Sequence, residues 1–411
     1  MNKSILKRAG LVAATAMLPF SQAALADGNW GISGWINEGV TYFDDGLESG
    51  LYQNNENGHT LGSRITLSGS TDLPNSGLSA GFEVILEPQS ADEILGAGTS
   101  ALRGGDAGFG DQNQGYADQI TGSGHEIRVL GNSLHVAGSF GKVTVGLQSM
   151  PTDNIAVLED PSLTLWSAIS PVFVGNFSSI RGLGGAATAS TWSNFLTCGS
   201  GIGGIGIDCN GIYRMGVRYD LPAFGPVTVA VGAGNNDVYD IAAKYKGSMG
   251  GINTQIALGY AKIGGTNDAN WGNTGTDNFQ VQAGAMDPNS GIFGSIAYQN
   301  EDIDGQAAGF EDSTDAWWLK VGIKKGFNSL GDTSFSFNYG QYNDQFNVDA
   351  AGITGSEVER MGVEVNQYFG SRLIIYGVWE QLSLDVDGTN AAAYNSADDL
   401  NTFRTGLTFF F

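Results

Sequence analysis

Hydrophobic and polar residues alternate along most of this chain in short segments with a period of two. In the last segment, 402–411, one side carries Phe403, Thr405, Leu407, Phe409 and Phe411. The other side carries Arg404, Gly406 and Thr408. A period of two is that of a β-strand, whose successive side chains point to opposite faces. Sixteen such segments, from 30–42 to 402–411, predict an all-β protein.

The connections between these segments alternate in length. The tight ones are rich in Gly, Pro, Asn or Ser, as β-turns require, and are 72–77, 138–141, 222–225, 247–250, 287–291, 328–331 and 369–371. The longer, polar ones include 44–58, 89–124, 149–210, 264–276 and 302–315, with 235–237 as a short exception. A barrel inserted from one side of a membrane has short turns at one end and long loops at the other. The pattern therefore predicts a transmembrane antiparallel up-and-down β-barrel of sixteen strands.

The alternation alone does not say which face of a strand points inward. The hydrocarbon core of a membrane determines the orientation of the faces, because open sheet edges and unsatisfied polar groups are unfavourable in it. The apolar faces are therefore expected to contact lipid and the polar faces to line the interior. Aromatic residues also lie near strand ends, as in interfacial girdles, at Trp30, Trp35, Tyr219, Tyr260, Tyr298, Tyr339, Tyr368 and Phe369. The segment 373–384 does not alternate cleanly, so its faces stay unassigned.

The first 26 residues have the features of a cleavable signal peptide. Lys3, Lys7 and Arg8 precede the apolar run 9–18, and Ala24-Leu25-Ala26 supplies a small-residue cleavage site. The run is too short for a helix that spans a bilayer, which needs about 20 residues. We therefore expect residues 1–26 to be removed and residues 27–411 to form the barrel domain.

Composition and charge narrow the function classes. The formal charge is −23, and loss of the three basic residues of the leader makes it −26. A nucleic-acid partner would require a basic surface, so none is expected. Charged residues are 15% of the chain, against about 25% in a soluble domain. This composition fits a membrane barrel or a secreted all-β protein.

The chain has two cysteines, Cys198 and Cys209, in a Gly-rich segment. An exported protein meets an oxidising compartment, so a disulfide bond between them is expected. It would contribute roughly 2–3 kcal/mol. Zinc binding is a weaker interpretation, because two cysteines without a nearby histidine supply half of a site.

Several motifs resemble those of the sixteen-stranded general porins of Gram-negative bacteria. They are Gly62-Ser63-Arg64-Ile65 with Asp72-Leu73, Gly77–Glu83, Phe140–Gly146 and Tyr219-Asp220-Leu221-Pro222. Together, in this order, they span nearly the whole predicted mature chain. The chain departs from the family pattern at Leu147, where Arg is common, and at 132–134.

The resemblance implies a homotrimer of barrels in the outer membrane, in contact with lipid and lipopolysaccharide. The third external loop, here 149–210, would fold into the lumen and narrow it. The terminal Phe411 would be the signal that the outer-membrane assembly machinery reads. Small hydrophilic solutes and ions would pass by diffusion, with no cofactor and no catalytic group.

A diffusion pore needs a constriction with charges on its wall. Basic candidates on the polar faces of strands are Arg64, Arg214, Arg218, Arg360 and Arg404, with Lys244 and Lys320 as weaker ones. Acidic candidates are Glu83 on a strand and Asp153, Glu159 and Asp160 in the long loop. Each arginine could instead pair with a carboxylate to stiffen the wall, and the loop acids could be solvated. The net charge predicts a weak cation preference, which wall arginines would oppose.

Two rival functions remain. A barrel enzyme would need a nucleophile beside a base, but His59, His125 and His135 have no such motif beside them. A channel selective for a sugar or an anion would need a line of inward aromatics or clustered basic residues. The basic residues are scattered, so a general diffusion pore is preferred.

Overall fold

The computed structural model describes residues 29–47, 49–54, 63–89, 126–164, 179–181, 187–196, 198, 206–210, 213–235, 237–264, 275–304, 311–346 and 352–411. The predicted leader, 1–26, lies outside these residues. Within them, strands dominate, with a 3-10 turn at Trp192–Phe195 and a helical turn, α1, at Ala391–Tyr394. None of the helical segments in these ranges is long and apolar enough to cross a membrane.

The described residues form nineteen strands. The first ten are β1 Asn29–Asp44, β2 Ser49–Asn54, β3 Arg64–Leu73, β4 Leu78–Gln89, β5 Glu126–Gly138, β6 Gly141–Ser149, β7 Ser179–Arg181, β8 Ala187–Thr191, β9 Tyr213–Asp220 and β10 Val227–Gly234. The others are β11 Val238–Met249, β12 Ile252–Ile263, β13 Thr276–Met286, β14 Ile292–Ile303, β15 Ser313–Asn328, β16 Gly331–Asn343, β17 Ile353–Phe369, β18 Leu373–Gly388 and β19 Leu400–Phe410.

The wall of the barrel has sixteen strand positions, as the alternation predicts. β7 and β8 pair only with each other, as a separate small hairpin. β2 and β3 pair with successive parts of β1, at 39–44 and 29–35, and so occupy one position. All remaining neighbours are antiparallel and consecutive along the wall.

Pairing between the first and last strands closes the barrel. Residues 35–44 of β1 pair with 401–410 of β19, so the sheet has no open edge at the seam. Phe411 continues this pairing, because its backbone N–H and C=O each bond to Gly34 at 3.1 Å. Closure satisfies the backbone groups that a sheet edge would otherwise expose to hydrocarbon.

All seven predicted tight turns are present, although the turn predicted at 247–250 lies at 250–251 because β11 continues to Met249. The turn between β11 and β12 shows the local reason, because Gly250 and Gly251 have φ values of +60° and +89°. A two-residue hairpin loop with two positive φ angles favours glycine at both positions. These turns lie at the end of the barrel that also holds the N-terminus of β1 and the C-terminus of β19, which defines its periplasmic end.

The prediction that residues 44–58 form the first external loop is wrong in part. The chain reverses direction after β1 and adds β2 to β1, so two segments, β2 and β3, share the second wall position. Asp44 and Asp45 accept hydrogen bonds from the backbone N–H groups of Gly46 and Leu47. Such Asx turns are local signals of a tight reversal that the sequence contained.

Strand faces follow the predicted alternation. On β9, Met215 and Val217 are exposed on the outer face, whereas Arg214 is buried on the inner face. On β19, Phe403, Leu407 and Phe409 are exposed and Arg404 is buried. The apolar faces thus form the lipid-contacting belt.

The inner face is not uniformly polar. An apolar cluster inside the barrel joins Phe43, Tyr342 and Leu382 of the wall to Trp192 and Phe195 of the third external loop. This cluster explains β18, whose alternation is unclear in the sequence. Its inner face carries Val378 and Leu382 on either side of Glu380, and its outer face carries Ile375 and Trp379, so large apolar residues occur on both faces.

The third external loop folds into the lumen, as expected, in all its described parts. Its Cys198 and Cys209 form the predicted disulfide bond, with Cα atoms 5.4 Å apart. Glu301 of β14 lies close to both sulfurs, but the disulfide leaves no thiolate to bind a metal. The backbone N–H of Cys209 donates to Gln299 of β14 at 2.7 Å, which fixes the loop to the wall.

Candidate pore constriction

Residues 150–164, which follow β6, run along the inner faces of β11 to β15; we name them the constriction segment. Its first turn begins where Thr152 donates to Asp240 of β11 through both its N–H and its hydroxyl, each at 2.8 Å. Its middle is held by Trp318 of β15, whose indole N–H donates to the backbone oxygen of Ala156 at 2.9 Å. The segment is therefore attached to the wall at several strands.

Buried amide side chains of β13 form a second set of contacts with the third external loop. Gln282 of β13 accepts a hydrogen bond from the backbone N–H of Glu159 at 2.8 Å. Gln280 donates to Asp208 at 3.3 Å, and Asn278 donates to Asn210 at 2.8 Å. Because these three residues alternate on β13, they form a ladder along its inner face. Sequence reasoning missed this ladder, although its two-residue spacing is visible.

Glu159 is paired with a basic wall residue. Its carboxylate lies 2.9 Å from Nζ of Lys244 on β11. The structure thus brings together an acidic loop candidate and a basic wall candidate. The Lys244 side chain is about a third exposed, whereas that of Glu159 is nearly buried.

Asp160 and Lys320 also form an ion pair, but neither side chain is exposed. Asp160 accepts further hydrogen bonds from the N–H and hydroxyl of Ser162, and Lys320 donates to the backbone oxygen of Thr164. These contacts fasten the end of the constriction segment. The pair therefore stabilises the loop and does not face the passage.

A second group of charges lies on β3 and β4. Arg64 pairs with Glu87 at 2.7 Å, and its guanidinium lies 5.1 Å from the ring centroid of Trp35. Glu83 is half-buried on the same face of β4, one step nearer the periplasmic end than Ile85. It lies within electrostatic reach of Lys142, Arg64 and Arg218.

A third group lies on β6 and β9. Arg218 binds Asp220 through Nε and Nη2, at 3.0 and 2.8 Å, and donates from Nη1 to the backbone oxygen of Ser149 at 3.1 Å. Lys142 of β6 lies 3.6 Å from the same Asp220. Arg218 therefore joins the wall to the point where the chain enters the constriction segment.

Three basic candidates are buried in the wall. Arg360 and Arg404 face inward, as their strand positions predict, but each donates to a different carboxylate oxygen of Glu380. All three side chains are almost inaccessible to solvent. Arg214 is likewise buried, within electrostatic reach of Asp240. The wall-stiffening interpretation therefore suits these arginines better than a place in the passage.

Asp153 is buried at the first turn of the constriction segment, where it accepts a hydrogen bond from the hydroxyl of Ser149 at 2.6 Å. Burial raises its pKa, against the opposing effects of Ser149 and of the cations Lys244, Arg64 and Arg218. Burial, reinforced by the nearby Asp153, raises the pKa of Asp208 to about 8. Asp208 accepts from the backbone N–H of Asn154 at 3.2 Å. Two loop carboxylates are thus packed together beside wall cations.

The histidines and the inward aromatic residues bear on the two rival functions. His135 lies on the inner face of β5, opposite Gly81 and Thr144, while His59 and His125 lie outside the described residues. Inward aromatics such as Phe43, Trp318 and Tyr342 are buried in the apolar cluster. In the described part of the chain they therefore do not form an exposed path for a sugar.

Several charged residues of the site were not among the sequence candidates. Glu87, Asp220 and Lys142 all belong to the wall pairs described above. Glu87 shares the face of Glu83, and Asp220 shares that of Arg218, so strand periodicity could have found both. The partnership of Asp240 with Thr152 had no such signal, because 88 residues separate them.

Comparisons with known proteins agree with this architecture. A family model described as Gram-negative porin matches residues 12–387. The anion-selective porin from Comamonas acidovorans is similar in structure, with a TM-score of 0.57, 19% identity, and coverage of 94% of this chain and 100% of that chain. Outer-membrane expressed OmpT of Vibrio cholerae matches with a TM-score of 0.54, 13% identity, and coverage of 95% and 100%.

In-vitro folded OmpT of Vibrio cholerae in its trimer form matches with a TM-score of 0.50, 12% identity, and coverage of 93% and 99%. At these identities the solved structures establish the fold alone. A search of curated proteins finds no match. The family match covers most of the chain, and the closed barrel with its inward-folded third loop agrees with it. The protein is an outer-membrane channel and belongs to the Gram-negative porin family.

Proposed function

We propose that this protein is a general diffusion pore, which lets ions and small hydrophilic solutes cross the outer membrane without a catalytic step. The observation that supports this most directly is the one-sided position of the constriction segment. It is fastened to β11–β15, while the partly exposed charges of Arg64, Glu83, Lys142 and Arg218 lie on β3 to β9. A polar passage along β3 to β9 would admit hydrated solutes.

The proposal includes export by way of the leader 1–26 and assembly as a homotrimer in lipid and lipopolysaccharide. The trimer form of the structurally similar Vibrio cholerae protein supports a trimer, and Phe411 would direct assembly. The constriction would be lined by Arg64, Glu83, Arg218 and Lys244, supported by the buried Asp153 and Glu159 of the loop. The match to the Gram-negative porin family supports a channel role over an enzymatic one.

The test is single-channel recording in a planar bilayer with protein extracted from outer membranes. We expect discrete conductance steps that occur in groups of three and an entry limit for uncharged sugars set by size. Absence of conductance from a correctly folded, detergent-stable oligomer would reject the pore function. Saturable block of the current by one class of solute would replace it with a substrate-selective channel.

A further inference from the structure

Four ion pairs on the inner wall share one asymmetry: the cation is more exposed than the carboxylate. For Lys244 and Glu159 the exposed fractions of the side chains are 32% and 7%. For Arg218 and Asp220 they are 25% and 10%, and Lys142 at 24% shares the same Asp220. Arg64 and Glu87 differ in the same direction, at 19% and 12%. In each pair the basic side chain is therefore the more accessible partner.

The remaining carboxylates near these pairs are mostly withdrawn from water. Asp240 and Asp153 are buried, and each accepts a hydrogen bond from a hydroxyl group at the start of the loop. Asp208 is buried beside Asp153, and the resulting increase of its pKa to about 8 leaves it largely uncharged at neutral pH. Glu83 is the half-buried exception, and three of the four exposed cations lie within its electrostatic reach.

Other acidic residues in the described part of the chain are exposed away from these pairs. Acidic residues that are exposed at the external ends of strands include Asp302, Asp304, Asp385 and Asp387. Exposed charges separated by more than about 8–10 Å are largely screened at physiological ionic strength. The net charge is therefore a poor guide to the potential inside the lumen.

We propose that the pore prefers small anions over cations, because an ion in the passage contacts the ammonium of Lys244 and the guanidinium of Arg218 before it contacts their carboxylates. This inference rests on the proposed pore function and reverses the weak cation preference expected from net charge. Charges in a narrow lumen with low-dielectric walls act more strongly on a passing ion than the same charges at an open surface. Chloride and small carboxylates are the solutes that this arrangement favours.

The test is the zero-current potential across a KCl gradient, with folded oligomer in a planar bilayer. The wild-type channel is expected to give the sign of an anion-selective pore. Lys244→Gln removes the exposed cation and is expected to lower the chloride-to-potassium permeability ratio by about threefold. Glu159→Gln keeps that cation and removes its carboxylate, so the same ratio is expected to rise.

The two substitutions break the same ion pair, so displacement of the loop would shift the permeability ratio in the same direction in both. Opposite shifts therefore support the proposal, and parallel shifts reject it. Lys262→Gln, which makes the same charge change at an exposed external position beside Asp277, is the matched control and should leave the ratio unchanged. A conducting wild-type channel with the sign of a cation-selective pore would overturn the inference alone, whereas absence of conductance would overturn the pore function itself.

Discussion

The indole N–H of Trp318 donates a hydrogen bond to the backbone oxygen of Ala156 across 162 residues of sequence. Trp318 belongs to the wall, and Ala156 lies in the middle of the constriction segment. Both residues are buried in the apolar cluster inside the barrel, so water does not substitute for the bond. The contact therefore fixes the distance between loop and wall at this point.

Replacement Trp318→Phe should loosen the constriction segment. It leaves the buried carbonyl of Ala156 without its donor, which costs about 1–3 kcal/mol, and also removes part of the packed ring. We expect more frequent current fluctuations and a lower midpoint of denaturant unfolding. Trp317→Phe is the control, since its indole bonds to Gln341 on the outer face. Equal effects of both substitutions would contradict a specific role of Trp318 in holding the loop.

Replacement Glu380→Gln should destabilise the barrel more than any change in the exposed pairs. Glu380 is the shared carboxylate of two buried arginines, and loss of one partner in a buried ion pair costs about 3–5 kcal/mol. The measurement is the temperature at which the folded form converts to the unfolded form in gel migration.

Glu359→Gln on the outer face of the neighbouring strand β17 is the matched control for this change. It removes one negative charge near Tyr339 and Gln341 without leaving a buried arginine unpaired. If ion selectivity changes in the Glu380 variant while stability does not, Arg360 and Arg404 belong to the passage after all.

Docking of the loop should weaken as the pH rises from about 4 to about 8. The pKa of Asp208 is raised from 3.8 to about 8, so the folded protein retains a proton that the unfolded chain releases in this interval. A carboxyl group whose pKa is higher in the folded state than in the unfolded state stabilises the fold fully at a pH below the unfolded-state pKa. This contribution is lost as the pH rises through the folded-state pKa. Asp208→Asn should flatten this pH dependence, as measured by urea midpoints at several pH values. An unchanged slope in the variant would show that Asp208 is not the titrating group.

Deletion of Phe411 should reduce the amount of folded trimer in the outer membrane. The residue supplies two backbone hydrogen bonds to Gly34 at the seam and the predicted terminal aromatic signal. Phe411→Tyr keeps both the backbone and an aromatic ring, so it should assemble normally. Phe411→Ala separates the two roles, because it retains the backbone bonds. Normal trimer levels in the Ala variant would reject the aromatic signal.

Local periodicity was sufficient for much of this fold. The two-residue alternation and the seven Gly-, Pro- and Asn-rich turns predicted the sixteen wall strands, their faces except in the segment 373–384, and the closed barrel. Such features depend on neighbours in sequence and on the exclusion of unsatisfied backbone from lipid. For the same reason, every basic candidate was correctly placed on an inward face.

The tertiary structure decided which inward charges are exposed and which are buried. Arg218 and Arg404 occupy equivalent positions by periodicity, yet Arg218 is partly exposed and Arg404 is buried against Glu380. The difference arises from long-range contacts of the third loop and of neighbouring strands. Those contacts join residues as distant as Thr152 and Asp240, or Trp318 and Ala156. Alternation along one strand carries no information about them, because burial depends on what packs against a face and not on which face a residue occupies.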